Sequence, residues 1–161
     1  MRRVQALEET GVLRRFCRGW YVAEEFDLPT LSQRIAPHSY VSFGTVLARE
    51  LLVGTRPERQ VIAAKVGRTR SYTGLGYEIV HVHIASHLDF GHSASGGVQF
   101  ATAEKAVLDV LYFHLRGRRY PFDPFSDIDV SRLDRRRLRS YLDRYRNPKF
   151  VVFASGVLEL R

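Results

Sequence analysis

Cysteine is almost absent: Cys17 stands alone, so the chain can form no internal disulfide. Such usage fits a reducing compartment, and a cytoplasmic protein is expected. Long apolar runs are missing as well. The opening MRRVQALEETG has none of the apolar core of a secretory leader, and no later stretch nears the roughly 20 apolar residues of a membrane span. No membrane association is expected. Lysine is scarce, at positions 65, 105 and 149 only, which leaves arginine as 22 of the 25 basic residues. Acidic residues number 17, for a net charge of +8. A positive field of this size draws polyanions or acidic partners, and arginine forks well to phosphate and guanine. A general bias towards arginine is the simpler alternative.

Signatures of catalysis and of cofactors are equally thin. His81 and His83 lie two apart on a candidate strand and share a face, and with His87 or His92 they would make a metal site. Yet no Cys or Asp accompanies them at zinc-ligand spacing. The stretch GHSASGG (91–97) invites comparison with a hydrolase elbow, G-x-S-x-G between strand and helix. Ser95 stands where the second glycine belongs, so neither Ser93 nor Ser95 is expected to be a nucleophile. The stretch reads as a flexible loop tip. TGLG (73–76) is followed by no helix with the lysine of a phosphate-binding loop, and its glycines read as turn formers. Asp127 and Asp129 are two apart, like the paired acids of a nucleotidyltransferase, but the Gly-Ser motif that precedes such a pair is missing. Cys17 and Trp20 read as small-core residues of a hairpin. No metal, cofactor or catalytic set is therefore expected, which points to a binding protein. The competing classes are a small metal-dependent enzyme on the His81/His83 face and a plain basic nucleic-acid-binding module.

What is present is a well-patterned α+β chain: 161 residues with 45% hydrophobic content suffice for one sizeable core. Residues 2–10 predict a short helix with Val4 and Leu7 on one side, closed by Gly11. VLRRFC and GWYVAE predict a hairpin around Arg18-Gly19. Residues 24–40, with Pro29 and Pro37, predict a linker carrying a short helix at 31–35. VSFGTVLARELLVG (41–54) predicts a helix with Ser42 as N-cap and Gly54 as stop. Strands are predicted at 59–67 and 77–86, with the basic, glycine-rich loop RTRSYTGLG between them. Residues 87–97 read as loop and VQFA (98–101) as a short strand.

Thr102 then caps AEKAVLDVLYFHL (103–115), which is apolar around most of its circumference and is predicted to be the central buried helix. Its one polar stripe is Lys105, Asp109 and Tyr112. An exposed pair four residues apart contributes only ~0.3 kcal/mol. The pair therefore points to a further neighbour, either the chain beyond residue 54 or a partner's surface. Residues 116–130 read as a long loop. SRLDRRRLRSYLDRYR (131–146) predicts a helix with Ser131 and Asp134 as a capping pair. At 100° per residue, Arg132, Arg135, Arg136, Arg139 and Arg146 fall in an arc of about 100°, opposite Leu138, Tyr141, Leu142 and Tyr145. Such a basic face would meet phosphate, an acidic partner or solvent. A last helix is predicted from Pro148 to residue 160.

Three stretches in order resemble the AbiEi family, the antitoxins of type IV toxin–antitoxin (abortive infection, phage defence) systems. GVLRRFCRGWYV (11–22) is similar to the family's wing, and SYVSFGTVLARELLV (39–53) to its Ala- and Leu-rich helix. FATAEKAVLDVLYFHL (100–115) is the most specific: it keeps the Ala-x-x-Glu-Lys-Ala pattern with Glu104 and Lys105, then Leu-Asp at Asp109 and Leu-Tyr. The resemblance implies a winged-helix remnant over 1–24, a recognition-helix end plus a β-hairpin wing. It implies a mixed α/β antitoxin domain over 25–161. The function implied is a DNA-binding transcriptional regulator that counteracts a cognate nucleotidyltransferase toxin. The helices that precede a recognition helix have no counterpart here, which leaves either a misplaced start or a shortened member. Arg2, Arg3, Arg14, Arg15 and Arg18 are then the candidate DNA contacts, with weak, salt-sensitive and sequence-tolerant binding expected.

Overall fold

The computed structural model describes residues 2–54 and 59–160; the outer limits of the two expected domains, residues 1 and 161, lie outside them. The architecture is mixed α+β, as predicted. Helix α1 (Arg2–Glu9) precedes strands β1 (Arg14–Cys17) and β2 (Trp20–Val22), an antiparallel hairpin with Gly19 at φ +83° in its turn. Six further strands form one sheet: β3 (Tyr40–Val41), β4 (Gln60–Lys65), β5 (Arg70–Gly74), β6 (Tyr77–His83), β7 (His92–Ser95) and β8 (Val98–Ala101). Their order is β5-β6-β4-β3-β8-β7, with β4–β6 and β3–β8 parallel and the other pairs antiparallel. Helices α2 (Leu28–Ile35), α3 (Phe43–Arg49), α4 (Ala103–His114), α5 (Arg135–Leu142) and α6 (Pro148–Val157) complete the fold.

Helix α4 is the hub. It packs against α3, α5, α6 and β8, and Val107, Val110 and Leu111 are fully buried. Thr102 caps it as predicted, accepting the Lys105 N–H on its hydroxyl oxygen at 3.2 Å. The N-terminal hairpin does not stand apart from this core. Phe16 and Val22 belong to the same apolar cluster as α4, and the Phe16 ring meets Phe26, which meets Tyr77 of β6. The backbone of β1 crosses β5 so closely that a Cβ on Gly74 would lie 1.7 Å from the Phe16 carbonyl oxygen. Helix α1, in contrast, buries no residue.

Several element limits differ from expectation, each for a local reason. Helix α2 begins at Leu28 rather than 31, because the Asp27 carboxylate accepts the Thr30 N–H at 2.9 Å and Pro29 is pre-set for a first turn. Helix α3 stops at Arg49, not Gly54. Leu51 takes a left-handed conformation (φ 58°), and the Leu52 N–H returns to the Leu47 carbonyl at 2.8 Å. That is a glycine-type helix ending built on leucine, at a cost of about 1 kcal/mol or more. The basic stretch read as loop contains strand β5, joined to β6 by a two-residue turn in which Leu75 and Gly76 both have positive φ. The stretch 92–95 is likewise strand β7, turning through Gly96-Gly97 into β8. Both are edge strands of polar sequence, so neither shows the apolar alternation by which a strand is recognised. Helix α5 begins after Asp134, not at Ser131, since Val130–Arg132 form a separate 3-10 turn, and it ends at Leu142. Helix α6 ends at Val157, with Glu159 left-handed beyond it. Among the described residues, no helix is long and apolar enough to cross a membrane.

Truncating Leu111 to Ala is expected to cost about 2–5 kcal/mol in urea denaturation; a loss below ~1 kcal/mol would mean that α4 is not the centre of the core. Gly74→Ala must push the hairpin off β5. The expected outcome is a loss of about 3 kcal/mol with faster thiol labelling of the half-buried Cys17, and unchanged labelling would contradict the docking.

Candidate functional site

Lys105, Asp109, Tyr40, Ser42 and Tyr145 converge on one polar network inside the core. Lys105 and Asp109 are one helical turn apart on α4, and both are buried, at 0% and 2% exposure. Lys105 Nζ donates to Asp109 Oδ1, forming an ion pair. The other carboxylate oxygen accepts the Ser42 hydroxyl at 2.7 Å and the Tyr40 hydroxyl at 3.1 Å. Lys105 also donates to the Tyr145 hydroxyl at 3.4 Å, and its ammonium lies 4.7 Å from the Phe90 ring centre. Taking both charges out of water is costly, and only this complete set of partners makes it tolerable.

The network explains local sequence choices around it. Ser42 sits at the N-cap position of α3 as predicted, but its hydroxyl makes no cap bond and is committed to Asp109 instead. Gly91 (φ +72°) lies against the Lys105 stem and the Tyr141 ring, where a Cβ would approach both at 3.1 Å. Its carbonyl accepts the Thr102 N–H at 2.8 Å, so the start of α4 and the segment over Lys105 are held together. Burial, reinforced by Asp109, raises the phenol pKa of Tyr40 and of Tyr145 well above the usual range, so both hydroxyls stay protonated, Tyr40 donating to Asp109 and Tyr145 accepting from Lys105.

Glu104 does a separate task. Its carboxylate accepts the Asp134 backbone N–H at 2.9 Å and an Arg137 guanidinium N–H at 3.3 Å, tying α4 to the start of α5. Asp134 in turn caps α5, accepting from the backbone N–H groups of Arg136 and Arg137 at 2.9 and 3.1 Å, and these bonds hold its pKa below the usual carboxylate range. The polar stripe of α4 thus has its further neighbours within the chain: β3 on one side, Phe90, Tyr141 and Tyr145 on the other, and α5 at the end. The surroundings lie on both sides of residue 54 in sequence.

The basic residues are placed differently. With α5 confined to 135–142, the predicted single arc is broken. Arg132 lies in the preceding 3-10 turn, where it donates to the Leu51 carbonyl at 3.2 Å, and Arg146 lies beyond the helix. Arg135 donates to the Glu159 carbonyl beyond α6. Arg135, Arg136 and Arg139 remain together on α5 and are exposed. Arg137, which the helical-arc argument left out, pairs with the Glu104 carboxylate. Arg2, Arg3, Arg14, Arg15 and Arg18 are all exposed, on α1, on β1 and in the hairpin turn. Cys17 is half-buried there, and desolvation raises its thiol pKa.

The histidines do not converge. His81 is fully buried, with Nε2 3.0 Å from the Ser32 hydroxyl and the Tyr72 ring against it, whereas His83 is exposed and bonds the Gly67 carbonyl at 2.6 Å. His92 is stacked on Tyr40 and bonded to Asp89 and Gln99. Among the described residues, no group of three His, Cys, Asp or Glu side chains is close enough to share a metal ion. Ser93 and Ser95 lie in the β7 ladder, with no histidine bonded to either. Asp127 accepts the Asp123 N–H at 2.7 Å and Asp129 caps the 3-10 turn, so the two acids serve separate turns. No family model matches the chain, and no curated protein matches it.

Burial, with Lys65 adding to it, lowers the His81 pKa to about 4, below the free value of 6.5. The unfolded chain therefore binds a proton that the folded chain refuses. His81 stability is complete above pH 6.5, falls as the pH drops towards 4 and is level below that. The loss amounts to about 3 kcal/mol at most, and urea melts of the wild type and His81→Gln between these limits should show it shrink in the variant. Glu104→Ala is expected to cost about 1–3 kcal/mol by orphaning the Asp134 N–H, with loss of helical signal from α5; an unchanged melt would show that Glu104 is dispensable.

Proposed function

We propose that this protein is an antitoxin of the AbiEi type, a non-catalytic binding protein that counteracts a nucleotidyltransferase toxin. The observation that carries this reading is the unity of the resemblance. Lys105 and Asp109 of the most specific stretch, and Tyr40 and Ser42 of the second, are parts of one buried network rather than scattered coincidences, and Glu104 of the same stretch ties α4 to α5. A motif of this kind identifies a scaffold, and the surface of that scaffold then does the work.

Two surfaces suit the two tasks of such a protein. The exposed arginines of α5 offer positive charge to an acidic or phosphate-bearing partner. The hairpin, read as a wing with α1 as the end of a recognition helix, offers Arg14, Arg15 and Arg18 to DNA phosphates, with Arg2 and Arg3 beside them. The hairpin is braced by Phe16 on β5, so it can position phosphate contacts. Helix α1 buries nothing, so it lacks the support needed to read base edges. The DNA contribution is therefore weak, salt-sensitive and sequence-tolerant.

Co-expression with a nucleotidyltransferase toxin of the type that AbiEi antitoxins counteract tests the reading. Growth arrested by the toxin should be restored by the wild-type chain and less fully by a variant with Arg135, Arg136 and Arg139 changed to Ser. Continued arrest in the presence of soluble wild-type chain would overturn the antitoxin reading. For DNA, the expected result is equal, micromolar or weaker affinity for the promoter and a scrambled duplex. Promoter-specific binding near ~10⁻⁸ M at physiological salt would contradict it.

A further inference from the structure

A cleft of about 420 Å³ opens between α2, the last turn of α3, the start of β4 and the β7–β8 turn. Its volume is in the range that holds small organic ligands. Leu28, Val61 and Phe100 supply apolar wall, and Asp27, Gln60 and Ser95 supply polar rim. Arg49 lies over the Phe100 ring, its guanidinium carbon 3.7 Å from the ring centre, and donates to the Ser95 hydroxyl at 3.5 Å. No described carboxylate is within ion-pair distance of Arg49. A flat cation is thus held at the mouth of a cleft with its charge uncompensated, one ring face behind it and its remaining N–H groups available.

The lining also carries a complementary group. Asp27 uses Oδ2 for the Thr30 N–H and hydroxyl, at 2.9 and 2.6 Å, and Oδ1 accepts from no described group. Leu28, Val61, Val98 and Phe100 give the cleft apolar lining, and at Gly96 a Cβ would meet no atom within 4 Å, so that part of the cleft has room for a ligand. We propose that this cleft binds a small aromatic anion. Arg49 takes the anionic group, the ring lies along the Phe100–Arg49 stack and the apolar wall, and a ring N–H or O–H donates to Asp27. A phosphate-bearing ring (a nucleoside 5′-monophosphate) and a carboxylate-bearing ring (an aryl or indolyl acid) share this chemistry. None of these side chains belongs to the Lys105 network, and the proposal does not depend on the antitoxin reading.

Amide-resolved NMR titration of the full chain tests it, with AMP, UMP and indole-3-acetate as probes and adenosine as the uncharged control. The expected result is saturable movement of the Arg49, Gly96 and Phe100 amides with at least one anionic probe, and much weaker movement with adenosine. Binding of AMP or UMP but not indole-3-acetate assigns the site to nucleotides, and the reverse assigns it to aryl acids. Arg49→Gln should weaken binding about tenfold or more with the melting temperature unchanged. Arg49→Lys, which keeps the charge but loses the flat fork, should fall between, and it decides the matter if the glutamine variant folds poorly. No movement of the cleft with any probe at millimolar concentration, adenosine binding as well as AMP, or unaltered affinity in both variants would overturn the proposal.

Discussion

A lysine and an aspartate, buried side by side on the central helix, constrain everything around them. Neither charge can be left alone in the core, so every element near Lys105 and Asp109 must deliver a hydrogen bond or an aromatic face. Strand β3 brings Tyr40 and Ser42 to the carboxylate; the segment before β7 and the residues after α5 bring Phe90 and Tyr145 to the ammonium. The two-residue strand β3 is the middle of the sheet, paired to β4 on one side and β8 on the other. Fixing Asp109 to that strand therefore fixes the helix to the sheet at one register. Apolar packing alone would permit neighbouring registers, and the pair removes that freedom.

This arrangement separates scaffold from surface. The charged residues of α4 are spent on the interior, where Glu104 organises the start of α5 and Lys105–Asp109 organises the sheet. Exposed arginines lie on α1, the hairpin and α5. The same logic gives the histidines structural assignments: His81 is sealed under β5 against Ser32, and His92 is stacked on Tyr40 beside the network.

Where side-chain pattern and burial coincide, the sequence was a good guide. Helix α4 was legible from its apolar circumference, the N-terminal hairpin from Arg18-Gly19, and the cap at Thr102 from its position before the helix. Where edge strands carry polar residues, β5 and β7 were not legible, because no buried face imposes alternation on them. Leu51 hid the end of α3 by doing a glycine's task. Asp134 rather than Ser131 starts α5 because its N–H is claimed by Glu104, a contact thirty residues away that no local pattern contains. The Lys105–Asp109 pair itself was visible as a stripe needing a neighbour. That the neighbours would be Tyr40, Ser42, Phe90 and Tyr145 depends on tertiary folding alone.

A double-mutant cycle on the pair tests most directly the claim that it organises the fold. Lys105→Met and Asp109→Asn, singly and together, are compared by urea denaturation, the asparagine keeping an acceptor for Ser42 and Tyr40. Each single change should cost about 3–5 kcal/mol by stranding the other partner, and the double variant should lose less than the sum by about 2 kcal/mol or more. Losses that add to within ~0.5 kcal/mol would show that the two residues act independently, and would contradict the account.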